Sequence, residues 1–208
     1  MSENTEVLHT GTALAGAGAA MILIHGRGAS AENILTLAGS LPAAGMAYLA
    51  PQAPDGAWYP QRFTAPLAAN EPHLSNALDT VDALVKRAIT AGVPSERILL
   101  VGFSQGACLV LEYAARNPRR YGAVASLSGG LIGPTTRRDY PGDLVGTPVL
   151  LGCSDVDFHI PLARVEQSAE VLARMGADVD KRIYPGMAHT INDDEIDALR
   201  TLVAQIAV

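Results

Sequence analysis

Short runs of apolar residues recur along the chain, and between them lie stretches with apolar residues at helical spacing. Short apolar runs bounded by Gly, Pro or Ser predict strands. Runs that are apolar at every position, such as residues 19–24, are typical of a buried parallel sheet. A fainter signal predicts a first, antiparallel strand over residues 6–14. The other strands are predicted over residues 19–24, 45–50, 98–101, 123–127, 148–152 and 177–184.

Helical spacing is clearest over residues 74–91, where Leu74, Leu78, Val81 and Leu84 lie on one face. Further helices are predicted over residues 31–39, 107–116, 162–175 and 193–206, with Ser30 capping the first and Asp193 and Asp194 the last. Strands and helices therefore alternate, which predicts an α/β fold with a mostly parallel central sheet and helices on both faces. At 208 residues, we expect one domain over residues 1–208.

Composition narrows the classes of partner. The net charge is -6 and the pI about 5.3, which argues against nucleic acid and anionic membrane surfaces as partners. No run has the length of a transmembrane helix, and the acidic start with Glu3 and Glu6 lacks the basic region of a signal peptide. Two cysteines, Cys108 and Cys153, are too few for a disulfide framework and predict buried thiols in a cytoplasmic protein.

A Gly-x-Ser-x-Gly motif stands between a predicted strand and a predicted helix, as Gly102-Phe103-Ser104-Gln105-Gly106. This is the nucleophile-elbow pattern, in which a sharp turn presents a serine hydroxyl at the sheet edge. Side chains at positions 102 and 106 are predicted to collide, so glycine fits there. The alternative is an ordinary serine in a strand-turn-helix connection.

A serine nucleophile needs a base and an orienting carboxylate, and sites in parallel sheets lie beyond the carboxyl ends of the strands. His189 and Asp157 both lie in loops that follow predicted strands, so the chain order is Ser104, Asp157, His189. His159 remains an alternative base. Asp155 remains an alternative acid, although it is better placed to brace its own loop.

The oxyanion hole needs two backbone donors near the nucleophile. The N–H of Gln105, directly after the serine, and the N–H of Arg27, between two glycines in His25-Gly26-Arg27-Gly28, are the candidates. The side chain of Arg27 is expected to be a solvent-exposed cation. His25 is expected to have a structural or oxyanion-side role.

Residues 51–72 form a long, proline-rich connection that contains Trp58, Tyr59 and Phe63. Concentrated aromatics predict an ordered loop, and we expect these three to bind the acyl or alcohol part of a substrate. The alternative is a loop packed for stability alone. The polar connection over residues 131–146 gives no further prediction.

The four motifs together resemble the phospholipase/carboxylesterase family of α/β-hydrolases, which includes acyl-protein thioesterases. His25-Gly26-Arg27-Gly28 resembles the oxyanion loop, residues 102–106 match the elbow, Asp155-Val156-Asp157 resembles the acid loop and Gly186-Met187-Ala188-His189 the base loop. The resemblance implies an α/β-hydrolase fold without a large cap domain and a Ser104–His189–Asp157 triad. Arg27 departs from the apolar residue of eukaryotic thioesterases, and residues 58–63 resemble the small bacterial esterases.

The sequence therefore predicts a serine carboxylesterase that acts on small-molecule esters through an acyl-enzyme, without cofactor or metal. An acyl-thioesterase or lysophospholipase, a hydrolase of small lactones and an inactive hydrolase-fold binding protein are the alternatives. We expect no stable membrane insertion. A homodimer is compatible with the sequence.

Overall fold

The computed structural model describes residues 5–136 and 139–206. Its centre is a seven-stranded sheet with the strand order β1-β3-β2-β4-β5-β6-β7. β1 pairs antiparallel with β3, and every other neighbouring pair is parallel. The strands are β1 (Val7–Gly11), β2 (Ala19–Ile24), β3 (Met46–Pro51), β4 (Ile98–Phe103), β5 (Ala123–Leu127), β6 (Pro148–Ser154) and β7 (Asp178–Tyr184).

Helices cover both faces of this sheet. They are α1 (Ala31–Leu35), α2 (Leu37–Ser40), α3 (His73–Thr90), α4 (Gln105–Arg116), α5 (Leu162–Arg174) and α6 (Asp193–Ile206). Along β2, alternate residues pack on opposite faces: Ala20, Ile22 and Ile24 join the core beneath α3, α4 and α5, and Met21 and Leu23 join the core beneath α1, α2 and α6. Burial on both faces is why β2 is continuously apolar.

Most predicted elements are confirmed to within two residues, and the first strand is antiparallel as expected. The exceptions are the first strand, which ends at Gly11, three residues before its predicted end, and the helix predicted over residues 31–39, which is divided into α1 and α2. The Ser30 hydroxyl caps α1 by accepting a hydrogen bond from the Asn33 N–H at 3.3 Å. Both cysteines are buried thiols, as predicted. None of the described helices has the length and apolar character needed to cross a membrane.

The start of α6 differs from the prediction. The side chain of Asn192 accepts from the Glu195 N–H at 2.8 Å, and the Glu195 carboxylate accepts from the Asn192 N–H at 3.0 Å. This reciprocal pair is a capping box, so Asn192 takes the role predicted for Asp193 and Asp194. Asp194 instead binds Arg182 at 2.9 Å.

The connection over 131–146, of which residues 137 and 138 lie outside the described residues, begins as buried backbone. Glu112 on α4 accepts from the Ile132 N–H at 3.1 Å. Arg164 on α5 donates to the carbonyls of Leu131 at 2.9 Å and Gly133 at 2.7 Å. These buried charged side chains satisfy the polar groups of the loop and tie it to two helices.

Candidate active site

Ser104 lies on the turn between β4 and α4, in a conformation with φ 53° and ψ -115°. A positive φ is strained for a residue with a side chain, and such strain concentrates at functional sites. The Ser104 N–H donates to the Leu127 carbonyl at 2.9 Å, which ties the turn to β5. The chain therefore holds the serine in the geometry of a nucleophile elbow.

The two motif glycines are required for different reasons. A Cβ on Gly102 would lie 2.3 Å from the Gly106 carbonyl oxygen, so this position needs glycine as predicted. A Cβ on Gly106 would instead lie 2.1 Å from the carbonyl oxygen of Ile24, at the end of β2. The predicted collision between two side chains is therefore corrected, because Gly106 is constrained by the neighbouring strand.

Three side chains from separate loops meet at the elbow. The Ser104 Oγ is 2.8 Å from the His189 Nε2, and the His189 Nδ1 is 2.6 Å from the Asp157 Oδ2. The side chain of His189 is 15% exposed and that of Asp157 is 0% exposed. The structure thus brings together the serine, histidine and aspartate selected from the sequence, with the imidazole between the other two.

Asp157 is held as a carboxylate. Burial raises its pKa, but the hydrogen bond from His189 and those from the N–H groups of His159 and Ile160 outweigh burial and leave the pKa below its ordinary value. The two N–H groups donate to Oδ1 at 2.8 and 3.0 Å. The Asp155 carboxylate accepts from the Gly186 N–H at 2.8 Å, which braces the loop that carries His189.

The other two histidines near the elbow make different contacts. The ring of His159 lies edge-on to His189 with centroids 4.8 Å apart, and its side chain is exposed. His25 is fully buried, its Nδ1 is 2.8 Å from the Gly26 carbonyl and its Nε2 accepts from the Ala53 N–H at 3.1 Å. These contacts fix a neutral tautomer of His25, and burial lowers its pKa, so it is a structural residue.

The loop after β2 lies against the serine. A Cβ on Gly26 would be 3.3 Å from the Ser104 Cβ, so only a glycine permits this close approach without displacement. Within the described residues, the backbone N–H groups of Arg27 and Gln105 donate to no protein acceptor. The Gln105 N–H is also the first of α4, where the helix leaves donors free.

The phospholipase/carboxylesterase family model matches residues 14–206. The chain belongs to the phospholipase/carboxylesterase family. The crystal structure of a phospholipase/carboxylesterase from Dyadobacter fermentans DSM 18053 has a TM-score of 0.93 and 39% identity, covering 98% of this chain and 98% of that chain. The family and the α/β-hydrolase fold predicted from the sequence are both confirmed.

Two curated relatives are more distant. Acyl-protein thioesterase 1 of Saccharomyces cerevisiae is 29% identical over 136 residues, which is 62% of this chain and 58% of the yeast protein. A probable carboxylesterase of Arabidopsis thaliana is 27% identical over 203 residues, which is 89% of this chain and 78% of the plant protein. The match therefore spans little more than half the length of the yeast relative.

In this family member, the connection over residues 51–72, the aromatic loop, does not expose its aromatic rings to solvent as the lining of a substrate pocket would. Trp58, Tyr59 and Phe63 are 3%, 1% and 7% exposed, and all three belong to the core beneath α3, α4 and α5. Their rings are enclosed by the protein itself, which favours the alternative of a loop packed for stability, and substrate binding by these three residues stays a prediction. The prediction that the loop is ordered is consistent with this packing.

The side chain of Arg27 is exposed to solvent, as predicted. Its Nη2 also donates to the carbonyls of Tyr59 at 2.6 Å and Gln61 at 3.0 Å, contacts that the sequence did not predict. The amide side chain of Gln105 was not singled out by sequence reasoning, which used only its N–H. Its Nε2 donates to the same Tyr59 carbonyl at 2.8 Å. The signal in the sequence that could have indicated this contact is the amide side chain directly after the motif serine, which can both donate and accept hydrogen bonds.

Proposed function

We propose that this chain is a serine carboxylesterase that hydrolyses small-molecule carboxylic esters. The observation that carries the proposal is the continuous hydrogen-bonded row from Ser104 through His189 to Asp157, at 2.8 and 2.6 Å. It stands on a strained elbow at the carboxyl ends of parallel strands, where α/β proteins place their sites. Membership of the phospholipase/carboxylesterase family supports the same reaction class.

In the first step, the Ser104 Oγ attacks the ester carbonyl while the His189 Nε2 takes the hydroxyl proton. The imidazolium that forms is stabilised by the Asp157 carboxylate at Nδ1. Because the pKa of Asp157 lies below its ordinary value, this carboxylate stays ionised at neutral pH and orients the imidazole.

The tetrahedral anion needs donors that are in place before the reaction. The N–H groups of Arg27 and Gln105 are the proposed donors, and the dipole at the start of α4 favours negative charge at the same point. His189 then protonates the leaving alcohol. Water, activated by the same imidazole, cleaves the acyl-enzyme and restores Ser104.

Replacing the nucleophile tests the proposal. Ser104→Ala should lower kcat/KM on a p-nitrophenyl ester by about three orders of magnitude or more, because base and carboxylate act only through the serine. Ser95→Ala is the matched control, since Ser95 lies before the opposite end of β4 and its hydroxyl, within the described part of the chain, hydrogen-bonds to Glu96 alone. The proposal fails if Ser104→Ala retains near-wild-type activity while both variants remain folded.

Thioester hydrolysis is the second candidate, because one relative is the yeast acyl-protein thioesterase 1. A panel of short and long p-nitrophenyl esters and an acyl-thioester of matched chain length compares the two classes. We expect a higher kcat/KM on the oxygen esters. A consistent preference for the thioester would assign this chain to the second class while leaving the roles of Ser104 and His189 unchanged.

A further inference from the structure

A hydrogen-bonded bridge, formed by the side chains of Arg27 and Gln105 and the Tyr59 carbonyl, links the two proposed oxyanion donors, the N–H groups of residues 27 and 105. We propose that the side chain of Arg27 is a positioning group. Together with the side chain of Gln105, it hydrogen-bonds to the Tyr59 carbonyl and so holds the backbone N–H groups of residues 27 and 105 in place. The inference rests on the proposed function, because it concerns the same oxyanion hole. It assigns a role to the aromatic loop that replaces direct contact with substrate.

The shared carbonyl receives two hydrogen bonds. The Arg27 Nη2 donates to the Tyr59 oxygen at 2.6 Å and the Gln105 Nε2 donates to it at 2.8 Å. A carbonyl oxygen has two lone pairs, so these donors use its full capacity. The guanidinium also donates to the Gln61 carbonyl at 3.0 Å, and a charged donor makes both bonds stronger than neutral ones.

Each half of the hole has a further bond to the same loop. The Gln105 Oε1 accepts from the Trp58 N–H at 2.9 Å, so its amide is bonded to the loop at both ends. The Trp58 Nε1 donates to the His25 carbonyl at 2.8 Å, and the Gly28 N–H donates to the Gly56 carbonyl at 2.8 Å. The segment that carries Arg27 is therefore attached to the loop on both sides of Arg27.

The bridge matters because the two donors come from different elements. Arg27 follows β2 and Gln105 begins α4, and among the described residues the one hydrogen-bond partner that their side chains share is the Tyr59 carbonyl. Trp58, Tyr59 and the Gln105 side chain are almost fully buried, so the bond from Gln105 to the Tyr59 carbonyl is shielded from competing water, and the bond from Arg27 to that carbonyl is partly buried. Preorganised donors stabilise a developing oxyanion without reorganisation, so loosening one donor should cost rate more than binding.

Substitution of Arg27 separates positioning from simple stabilisation of the loop. Arg27→Met removes the donors and keeps an extended side chain, and Arg27→Lys keeps the charge with a single donor group. Arg62→Met is the matched control, because Arg62 is an exposed arginine of the aromatic loop, and its side chain bonds to no described residue. Each protein is assayed for kcat, KM, the pH profile of kcat/KM and melting temperature.

We expect Arg27→Met to lower kcat by about tenfold to a hundredfold, the range that a small misplacement of a catalytic group produces. KM should stay within about twofold, because the oxyanion forms only in the transition state. Arg27→Lys should recover part of the loss, Arg62→Met should stay within about twofold of wild type, and the pH profile should keep its shape since the base is untouched.

Three outcomes would overturn the inference. They are a kcat of Arg27→Met within about twofold of wild type whatever its melting temperature, a rise in KM with kcat unchanged, and a displaced pH profile. Failure of the proposed function is distinguishable from these results. It shows as an inactive wild-type protein or an active Ser104→Ala variant, whereas failure of this inference leaves wild type active and Ser104→Ala inactive.

Discussion

Glu195 is a buried glutamate that neither the proposed reaction nor the sequence motifs use. Its side chain is fully buried, and among the described residues its Oε1 has no hydrogen-bond partner. It packs so closely on β6 that a Cβ on Gly152 would lie 2.0 Å from this oxygen. Burial raises the pKa of Glu195 to about 7, against the opposing hydrogen bond from the Asn192 N–H.

This raised pKa links the stability of the fold to pH. Below the ordinary glutamate pKa of 4.5 both the folded and the unfolded chain hold the proton, and above about 7 both have lost it. Between these values the folded chain binds more protons, so its stability falls as pH rises. The contribution of Glu195 over this window is on the order of 3 kcal/mol.

Glu195→Gln should remove this dependence, because an amide does not titrate. We expect the change in the free energy of unfolding from pH 5 to pH 8 to be more positive in the variant than in wild type. Urea denaturation at the two pH values measures it. His25, whose pKa burial lowers, acts in the opposite direction but contributes equally to both proteins. Equal changes in the two proteins would show that Glu195 does not titrate in this range.

At the residue scale, the sequence identified side chains whose position follows from local pattern and chain order. Ser104 was marked by its flanking glycines, and His189 and Asp157 by their place after strands. Glu195 could not be found in this way, because its burial comes from the contact between α6 and the end of β6. The hydrogen bonds of Arg27 could not be predicted for the same reason, since its partners lie more than thirty positions away along the chain.

The element that changed most between sequence and structure is the connection from Pro51 to Pro72. Its composition predicted order, but no periodic pattern indicated which side chains turn inward. In the structure its aromatic rings enter the core, and its backbone bonds to the side chain of Gln105, the residue after the nucleophile. The loop is therefore a structural support for the site.

Trp58→Ala tests this role. We expect a loss of about 3–5 kcal/mol in the free energy of unfolding, the usual cost of removing a buried aromatic ring. The relative rates on short and long p-nitrophenyl esters should stay the same, because the ring is enclosed. A changed chain-length preference in a variant of near-wild-type stability would mean that Trp58 contacts substrate.

Phe158→Ala is the matched control for stability, because the Phe158 side chain is 76% exposed. Its removal should change the free energy of unfolding by less than about 0.5 kcal/mol. A loss of stability as large as that of Trp58→Ala would mean that the exposed fraction of a ring does not predict its contribution to the free energy of unfolding.

For the whole molecule, the sheet explains how distant residues meet. Apart from β1, all strands are parallel, so the residues that follow β2, β4, β6 and β7 emerge at one edge. The loops there carry Arg27, Ser104, Asp157 and His189. This common edge follows from the alternation of strands and helices, which is why the site could be predicted without coordinates.

The strand order could not be read in the same way. The crossover that places β2 between β3 and β4 depends on packing between segments far apart in sequence. The exposed character of β7 likewise follows from its position at the sheet edge, where one neighbour, β6, pairs with it. Local patterns predict elements, and long-range packing decides which of them become edges.

Covalent modification of Ser104 is the most direct test of the central claim, because a fluorophosphonate reacts with a serine only when base and oxyanion donors activate it. After treatment of the folded protein, peptide mass spectrometry should find a single adduct, on Ser104. Ser104→Ala and heat-denatured wild type should remain unmodified. An unmodified folded wild-type protein, or an adduct on another residue, would contradict the account.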